Sequence, residues 1–285
     1  MTLADERGVR RLKKIAVVIG ALLLLGVGYR VLGVYELRSG ECSPRQPRRF
    51  ANTYPRRLVV MTYNIEGHAT LLKSHHLADI AAEIRKYRPD VVGLNEVHRN
   101  TWQARFSDHT RDLARLTGMN VVFGRSYTFL GGDFGNAVLT RGQILHSEVH
   151  KLPGIGEPRS LLEAVIGING GIIEFYVAHT AAWASLNEKP RDLQLQCINH
   201  HVLASAHPYI LVGDLNAPPG SAEVSKFLDL NTLQFVGDSR SATHKVMEQR
   251  LDYILVDPGW KVRAARVLDE GPSDHRPVIA ELAHP

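Results

Sequence analysis

Asp274 and His275 stand side by side in Ser273-Asp274-His275-Arg276-Pro277-Val278, just ahead of an apolar run. An acid and an imidazole at the mouth of a buried strand can move a proton or hold charge on a phosphoryl oxygen. The arrangement recurs upstream in Thr62-Tyr63-Asn64-Ile65, Leu94-Asn95-Glu96-Val97, Ala178-His179-Thr180, Gly213-Asp214-Leu215-Asn216-Ala217 and Leu251-Asp252-Tyr253-Ile254. Each is an apolar, strand-like run that ends in carboxylates, carboxamides or imidazoles. Hydrolysis of a phosphoester needs an activated water, neutralised phosphoryl oxygens and help for the leaving oxygen. Glu96 and Asn64 offer the hard oxygens that a Mg²⁺ site requires. Asp214 and Asn216, two apart after a buried run, point the same way on an extended backbone. Asp252 is the candidate that fixes the tautomer of His275, as an acid orients the imidazole of a serine hydrolase. Asp274 is then available to a metal ion.

In this order the runs resemble the endonuclease/exonuclease/phosphatase superfamily, the group of deoxyribonuclease I, exonuclease III, bacterial sphingomyelinases and inositol-polyphosphate phosphatases. The resemblance covers roughly Arg57 to Leu282. It implies an α/β fold, a four-layer sandwich of two packed mixed β-sheets with helices outside and the site at the strand ends. It implies that Asn64 and Glu96 hold or orient the metal, Mg²⁺ or Mn²⁺. Asp214 and Asn216 would position or deprotonate the attacking water and contact the scissile phosphate. His179 matches a histidine near the leaving group, although it stands in Ala178-His179-Thr180 where relatives commonly carry Thr-His-Leu. Arg159, in Glu157-Pro158-Arg159-Ser160-Leu161, resembles a phosphate-contacting arginine. Asn95 stands where relatives usually have Gln. The implied activity is a metal-dependent phosphodiesterase acting on nucleic acid or on a phospholipid headgroup, with the protein monomeric. The alternatives are a phosphomonoesterase for a sugar or inositol phosphate, and an inactive binding module on the same fold.

The positioning elements belong to a chain of 285 residues whose formal charge is +5. That charge is unevenly spread: residues 1–56 carry +7 and residues 57–285 carry −2. The N-terminal segment reads as a basic stretch (1–14), a signal anchor or transmembrane helix (15–35) and a Pro/Arg-rich linker (36–56), ahead of a catalytic domain over 57–285. The hydrophobic helix reaches the length of a span if Arg30 snorkels. We expect a single-pass membrane protein with the catalytic domain outside the cytoplasm, or a secreted protein if the segment is cleaved. A catalytic domain at −2 does not advertise the basic face with which proteins hold DNA. Cys42 and Cys197 form neither a disulfide framework nor a metal motif.

From Leu58 the chain alternates β-branched runs with helical patterns, as an α/β domain does. The spacing predicts strands at Leu58–Ile65, Val91–Glu96, Ala137–Thr140, Leu161–Ile168, Ile172–Ala178 and Tyr209–Gly213. It predicts a helix from Leu77 to Tyr87, one capped by Asp108 and closed at Gly118, and one from Arg191 to Ser205. Gly131–Gly135 and Ala181–Pro190 read as loops. His75, His76, His200 and His201 read as solvated helix faces. The tryptophans lack the basic interleaving of a base-stacking platform. Tyr127 is too loosely spaced to match the tyrosine of abasic-site endonucleases.

Overall fold

The computed structural model describes Cys42 and residues 55–284, except 130, 155, 183, 230–232 and 270. The basic N-terminus, the anchor and most of the linker lie outside the described residues. Among the described residues, no helix is long and apolar enough to cross a membrane.

Among the described residues twelve strands form two six-stranded sheets. In chain order they are β1 (Arg57–Asn64), β2 (Val91–Arg99), β3 (Asn120–Phe129), β4 (Gly132–Thr140), β5 (Gln143–Leu152), β6 (Arg159–Ile168), β7 (Gly171–His179), β8 (Tyr209–Asp214), β9 (Gln234–Phe235), β10 (Asp252–Val256), β11 (Lys261–Val267) and β12 (Val278–Ala283). The first sheet runs β11-β12-β1-β2-β4-β3 and the second β5-β6-β7-β8-β10-β9. Among the described residues four α-helices accompany them: α1 (His76–Tyr87), α2 (His109–Thr117), α3 (Ala184–Leu203) and α4 (Ala222–Asp229).

Each sheet is mixed, with one parallel pair: β1 with β2, and β7 with β8. A parallel pair needs a crossover, supplied here by α1 and α3. Both pairs therefore send their C-terminal ends to the same edge of the molecule, Asn64 beside Asn95 and His179 beside Asp214 in register.

Three apolar layers make this a four-layer sandwich. Val60, Val138, Leu162, Phe175, Val177, Val212 and Ile254 pack between the sheets. Met61, Tyr63, Val92 and Leu94 face outward onto Ile80, Ile84 and Leu113 of α1 and α2. Tyr176 and Leu211 face Leu195, Ile198, Val224 and Phe227 of α3 and α4. Strands buried on both faces read as continuous apolar runs rather than alternating ones, which is why their ends were visible in the sequence.

Several expectations need correction. β2 does not end at Glu96 but continues to Arg99 through a bulge between Leu94 and Val97. The glycines expected in a loop mostly belong to β4; a Cβ on Gly135 would collide with the Gly124 carbonyl of β3, so close pairing, not flexibility, requires glycine there. The third helix begins at Ala184, so most of the loop expected over Ala181–Pro190 is helical. His76 and His201 are each 1% exposed. His76 lies with Nε2 2.6 Å from the Ile65 carbonyl, and His201 stacks on His150 of β5. Helical spacing alone does not say which face a neighbouring strand will cover. Cys42 and Cys197 are joined in a disulfide that closes 155 residues. Two lone cysteines so far apart carry no spacing signal, and only the fold brings their Cα atoms to 5.4 Å. The capping expectations were borne out: Asp108 accepts from the Thr110 and Arg111 amides, and Gly118 closes α2 with φ +69°.

Gly213 delivers Asp214 to the site. Its φ is +133°, and a Cβ there would run into the Ala178 carbonyl of β7. Gly213→Ala should therefore cost about 1–3 kcal/mol or more, combining backbone strain with overpacking. Urea denaturation checks this: an unchanged midpoint would mean that β7 and β8 yield freely at this point.

Candidate active site

The site lies where the two parallel pairs end, and carboxamides hold it together. The Asn64 amide, at the end of β1, donates to Glu96 Oε1 (3.2 Å) in its own sheet and to Asp214 Oδ2 (3.1 Å) in the other. Behind it, buried Asn95 donates to Asn136 Oδ1 and to the Ala178 carbonyl, both at 2.9 Å, and accepts from the Asp214 amide at 3.0 Å. Asn95 is thus a strut between the sheets.

Glu96 has φ +58° at the bulge of β2. An extra residue re-aims a side chain without ending the strand, and here it leaves the carboxylate one-quarter exposed. Burial pushes this carboxyl up, but His68 at 3.7 Å, the Asn64 amide and the His275 cation hold it well below the usual range.

Asp214 ends β8, buried. Asn216 follows with φ +49°; its backbone amide donates to Asp214 Oδ1 (2.8 Å), and its side chain donates to the Thr180 carbonyl (3.0 Å). The two residues converge through an Asx-type turn rather than through extended alternation. Burial, and then the charge of Asp252, raise the Asp214 carboxyl to about 7.

His275 Nδ1 lies 2.8 Å from Asp252 Oδ2, and its Nε2 lies 3.7 Å from Asp214 Oδ2. Burial opposes charge on this ring, yet Asp252 and Asp214 overcome it and raise His275 to about 10. Nδ1 donates to Asp252 and Nε2 faces the cleft. Ser273 fixes the pair to β1, its hydroxyl donating to the Asn64 carbonyl (2.7 Å) and accepting from the His275 amide (3.1 Å).

His179 Nε2 lies 3.8 Å from Asp214 Oδ2 on the other side. Burial, followed by the adjacent Arg159 cation, drives this ring well below its ordinary value, so it is neutral. Arg159 Nη1 lies within 2.8 Å of Nδ1 and 3.0 Å of Nε2, and Nη2 pairs with Glu157 at 3.1 Å. The nine residues singled out in the sequence therefore occupy one locality. Asp274 is at its margin, 39% exposed, its carboxylate 3.9 Å from His244 Nε2.

Reasoning from sequence missed Glu66, His68, Ser273 and His244. Glu66 accepts from the Asp274 amide, and His68 lies 3.7 Å from both Glu66 and Glu96. His244 meets the His275 ring edge-on at 4.7 Å. Glu66 and His68, two and four residues past Asn64, were findable as polar residues leaving a strand end. Nothing local marks His244.

The donor set suits a hard divalent cation. Mg²⁺ typically takes one or two protein carboxylates and fills its remaining positions with water and substrate, and Glu96 is a charged, partly open carboxylate with Glu66 close by. Asn64 turns its amide toward Glu96, so its contribution here is to orient that carboxylate.

A profile of the endonuclease/exonuclease/phosphatase family matches residues 61–275. The chain belongs to the endonuclease/exonuclease/phosphatase family. Members of this family are phosphoester hydrolases, nucleases and phosphatases, typically using a divalent metal. Among solved structures, an endonuclease/exonuclease/phosphatase from Beutenbergia cavernae is 25% identical, with a TM-score of 0.68 over 80% of this chain and 72% of that one. The catalytic domain of human Nocturnin, solved with bound sulfate, is 21% identical (TM-score 0.66, 81% and 96% covered). A mannosyl-6-phosphatase from Bacteroides thetaiotaomicron is 18% identical (TM-score 0.65, 79% and 99% covered). A search of curated proteins finds no match. The last two likenesses concern the fold alone.

Two expected outcomes follow from this endonuclease/exonuclease/phosphatase site. His275→Ala should cost several orders of magnitude in kcat, and adding Asp252→Asn should cost little more, because an unoriented imidazole has lost its function already. Strictly multiplicative losses in the double variant would show two independent groups. The second outcome concerns stability. Behind Glu96, burial lowers His98 to about 4 and His109 to about 3, from an ordinary 6.5. The unfolded chain binds these protons first, so stability is full above about pH 6.5 and falls as pH drops toward about 4. Denaturation at stepped pH should show this slope, and His109→Gln should flatten it; an equal slope in the variant would assign acid lability to other groups.

Proposed function

We propose that this chain is a divalent-metal-dependent phosphodiesterase, with Mg²⁺ or Mn²⁺ as its ion. The observation that carries this reading is the convergence of Asp252–His275, Asp214 and Glu96 on one cleft, the first two as a 2.8 Å pair. A bound cation would supply Lewis-acid neutralisation of the phosphoryl oxygens, with Glu96 and neighbouring Glu66 as its carboxylates and Asn64 orienting Glu96. Asp214, raised to about 7 by burial and by Asp252, can take a proton from the attacking water near neutrality. His275, held positive by its two carboxylates, donates from Nε2 to a phosphoryl oxygen. Arg159 and His179 line the opposite wall, where the arginine cation can offset charge on phosphate or leaving group.

A lipid-borne phosphodiester is favoured over nucleic acid by the rim. Leu72, Trp102, Phe106, Val246 and Met247 are 53–84% exposed. They are linked around the cleft mouth: Arg105 donates to the Leu71 carbonyl, Lys73 to that of Pro272, and Lys245 to those of Gly271 and Ser273. Apolar tips beside lysine and arginine suit an interface with acyl chains below and phosphate above. The disulfide suits an oxidising compartment, in keeping with a domain tethered outside the cytoplasm by the segment over 15–35. A phosphomonoester substrate is the second reading.

Full-length protein in Mg²⁺ should hydrolyse phospholipid diesters in vesicles, lose turnover in chelator, and lose it in Glu96→Ala whatever the ion. Replacing Trp102 and Phe106 together by Ser should depress vesicle turnover at least tenfold, with little change on a short soluble diester. Activity that survives chelation would sink the metal hydrolase. Preference for DNA, with binding that falls steeply with salt, would sink the lipid assignment and leave the chemistry standing.

A further inference from the structure

On the far side of the second sheet, away from the catalytic cleft, β5 carries His146, Glu148 and His150 at alternate positions. From His146 onward the pairing with β6 is regular, so these three side chains share a face. It is the face covered by α3, since Leu161, the register partner of His150, packs with Leu195 and Ile198. Glu163 of β6 lies directly opposite Glu148.

His150 Nε2 is 3.0 Å from Glu163 Oε2, and both residues are buried. One ligand atom from each of Glu148, His150 and Glu163 falls within 4.8 Å of the others. His146 Nε2 is buried without a hydrogen-bond partner and lies 3.8 Å from Glu148 Oε2. That is long for a hydrogen bond, and His146 stands outside the group of three, as a charge neighbour of Glu148.

An ordinary ion pair accounts for His150 and Glu163 alone. Glu148, paired only loosely with His146, sets a second carboxylate directly across the strand pair from Glu163, an arrangement that a cation between the two would relieve. Edge strands do carry charges that discourage aggregation, but those are solvated, whereas Glu163 is one strand in and 1% exposed.

We propose that Glu148, His150 and Glu163, with solvent completing the coordination, form a second metal site for a borderline transition cation such as Zn²⁺. One imidazole and two carboxylates, with water at the open position, make a nitrogen/oxygen set suited to that ion. Glu148, with its side chain about half exposed, opens the site to solvent, while His201 of α3 stacks on His150 with ring centroids 3.9 Å apart. The ion would join the edge strand to its neighbour beneath the helix that also holds Cys197. This assignment is independent of the catalytic reading.

Full-length protein in detergent, with excess Mg²⁺ to occupy the catalytic cleft, is titrated with Co²⁺ and with Zn²⁺. One equivalent of Co²⁺ should give visible ligand-field bands of four-coordinate intensity, bleached by Zn²⁺, and Glu96→Ala should show them unchanged. Glu163→Gln should abolish the bands. Because Glu163 is buried, the exposed Glu148→Gln serves as a variant that does not threaten folding, and it should weaken binding at least tenfold. Absence of the bands in the parent protein, or equal affinity in Glu148→Gln, overturns the site; loss of the bands in Glu96→Ala would show that cobalt had bound the catalytic cleft instead.

Discussion

Two sheets packed through apolar side chains can slide, because aliphatic contacts are weakly directional. Asn95 removes that freedom. Its carboxamide donates to one residue in each sheet and accepts from the Asp214 amide, so any relative shift leaves buried polar groups without partners. Such a loss costs about 1–3 kcal/mol per group, a large fraction of a domain's net stability. Asn136 extends the bridge to the Ser160 carbonyl of β6 at 2.9 Å. The distances across the cleft depend on this register, because Asn64, Glu96 and Arg159 project from strands on either side of it.

Electrostatics adds a second layer of order. Asp252, Asp214 and His275 are buried together, and three such groups could not all be charged without a partner. The arrangement resolves itself by sharing: His275 becomes cationic between two carboxylates, and Asp214 is left near neutrality. On the other wall, burial and then the Arg159 cation keep His179 neutral. Two histidines within 4 Å of the same Asp214 carboxylate thus hold opposite charge states, set by whether an acid or an arginine stands behind each. On the proposed reading, this asymmetry would set a donor and a base on opposite sides of a phosphoryl group.

The rim and the disulfide extend this chemistry toward a setting. Exposed apolar side chains at the cleft mouth are unhelpful to a free soluble domain, and they become useful against an amphiphilic surface. The Cys42–Cys197 bond ties the end of the N-terminal segment to α3, so a tether upstream of Cys42 would act on the folded domain through a short connection and raise its effective concentration at a surface.

The sequence by itself determined which residues the fold gathers at the strand ends. Asn64, Glu96, His179, Asp214, Asp252 and His275 each close an apolar run or open one, and strands buried on both faces advertise their ends through sustained hydrophobicity. Capping was equally legible at Asp108 and Gly118, because those signals are local. What only the tertiary structure decided depends on contacts between distant segments. The bulge at Glu96 and the Asx turn at Asn216 aim their side chains through backbone conformations that residue types alone do not specify. His244 reaches His275, and Cys42 reaches Cys197, only because separate strands and helices are packed side by side. His76 and His201, polar on helices and therefore expected in water, are covered by neighbouring chain. Periodicity reports that a face exists; which neighbour lies against it, and what charge a buried group keeps there, is fixed by packing.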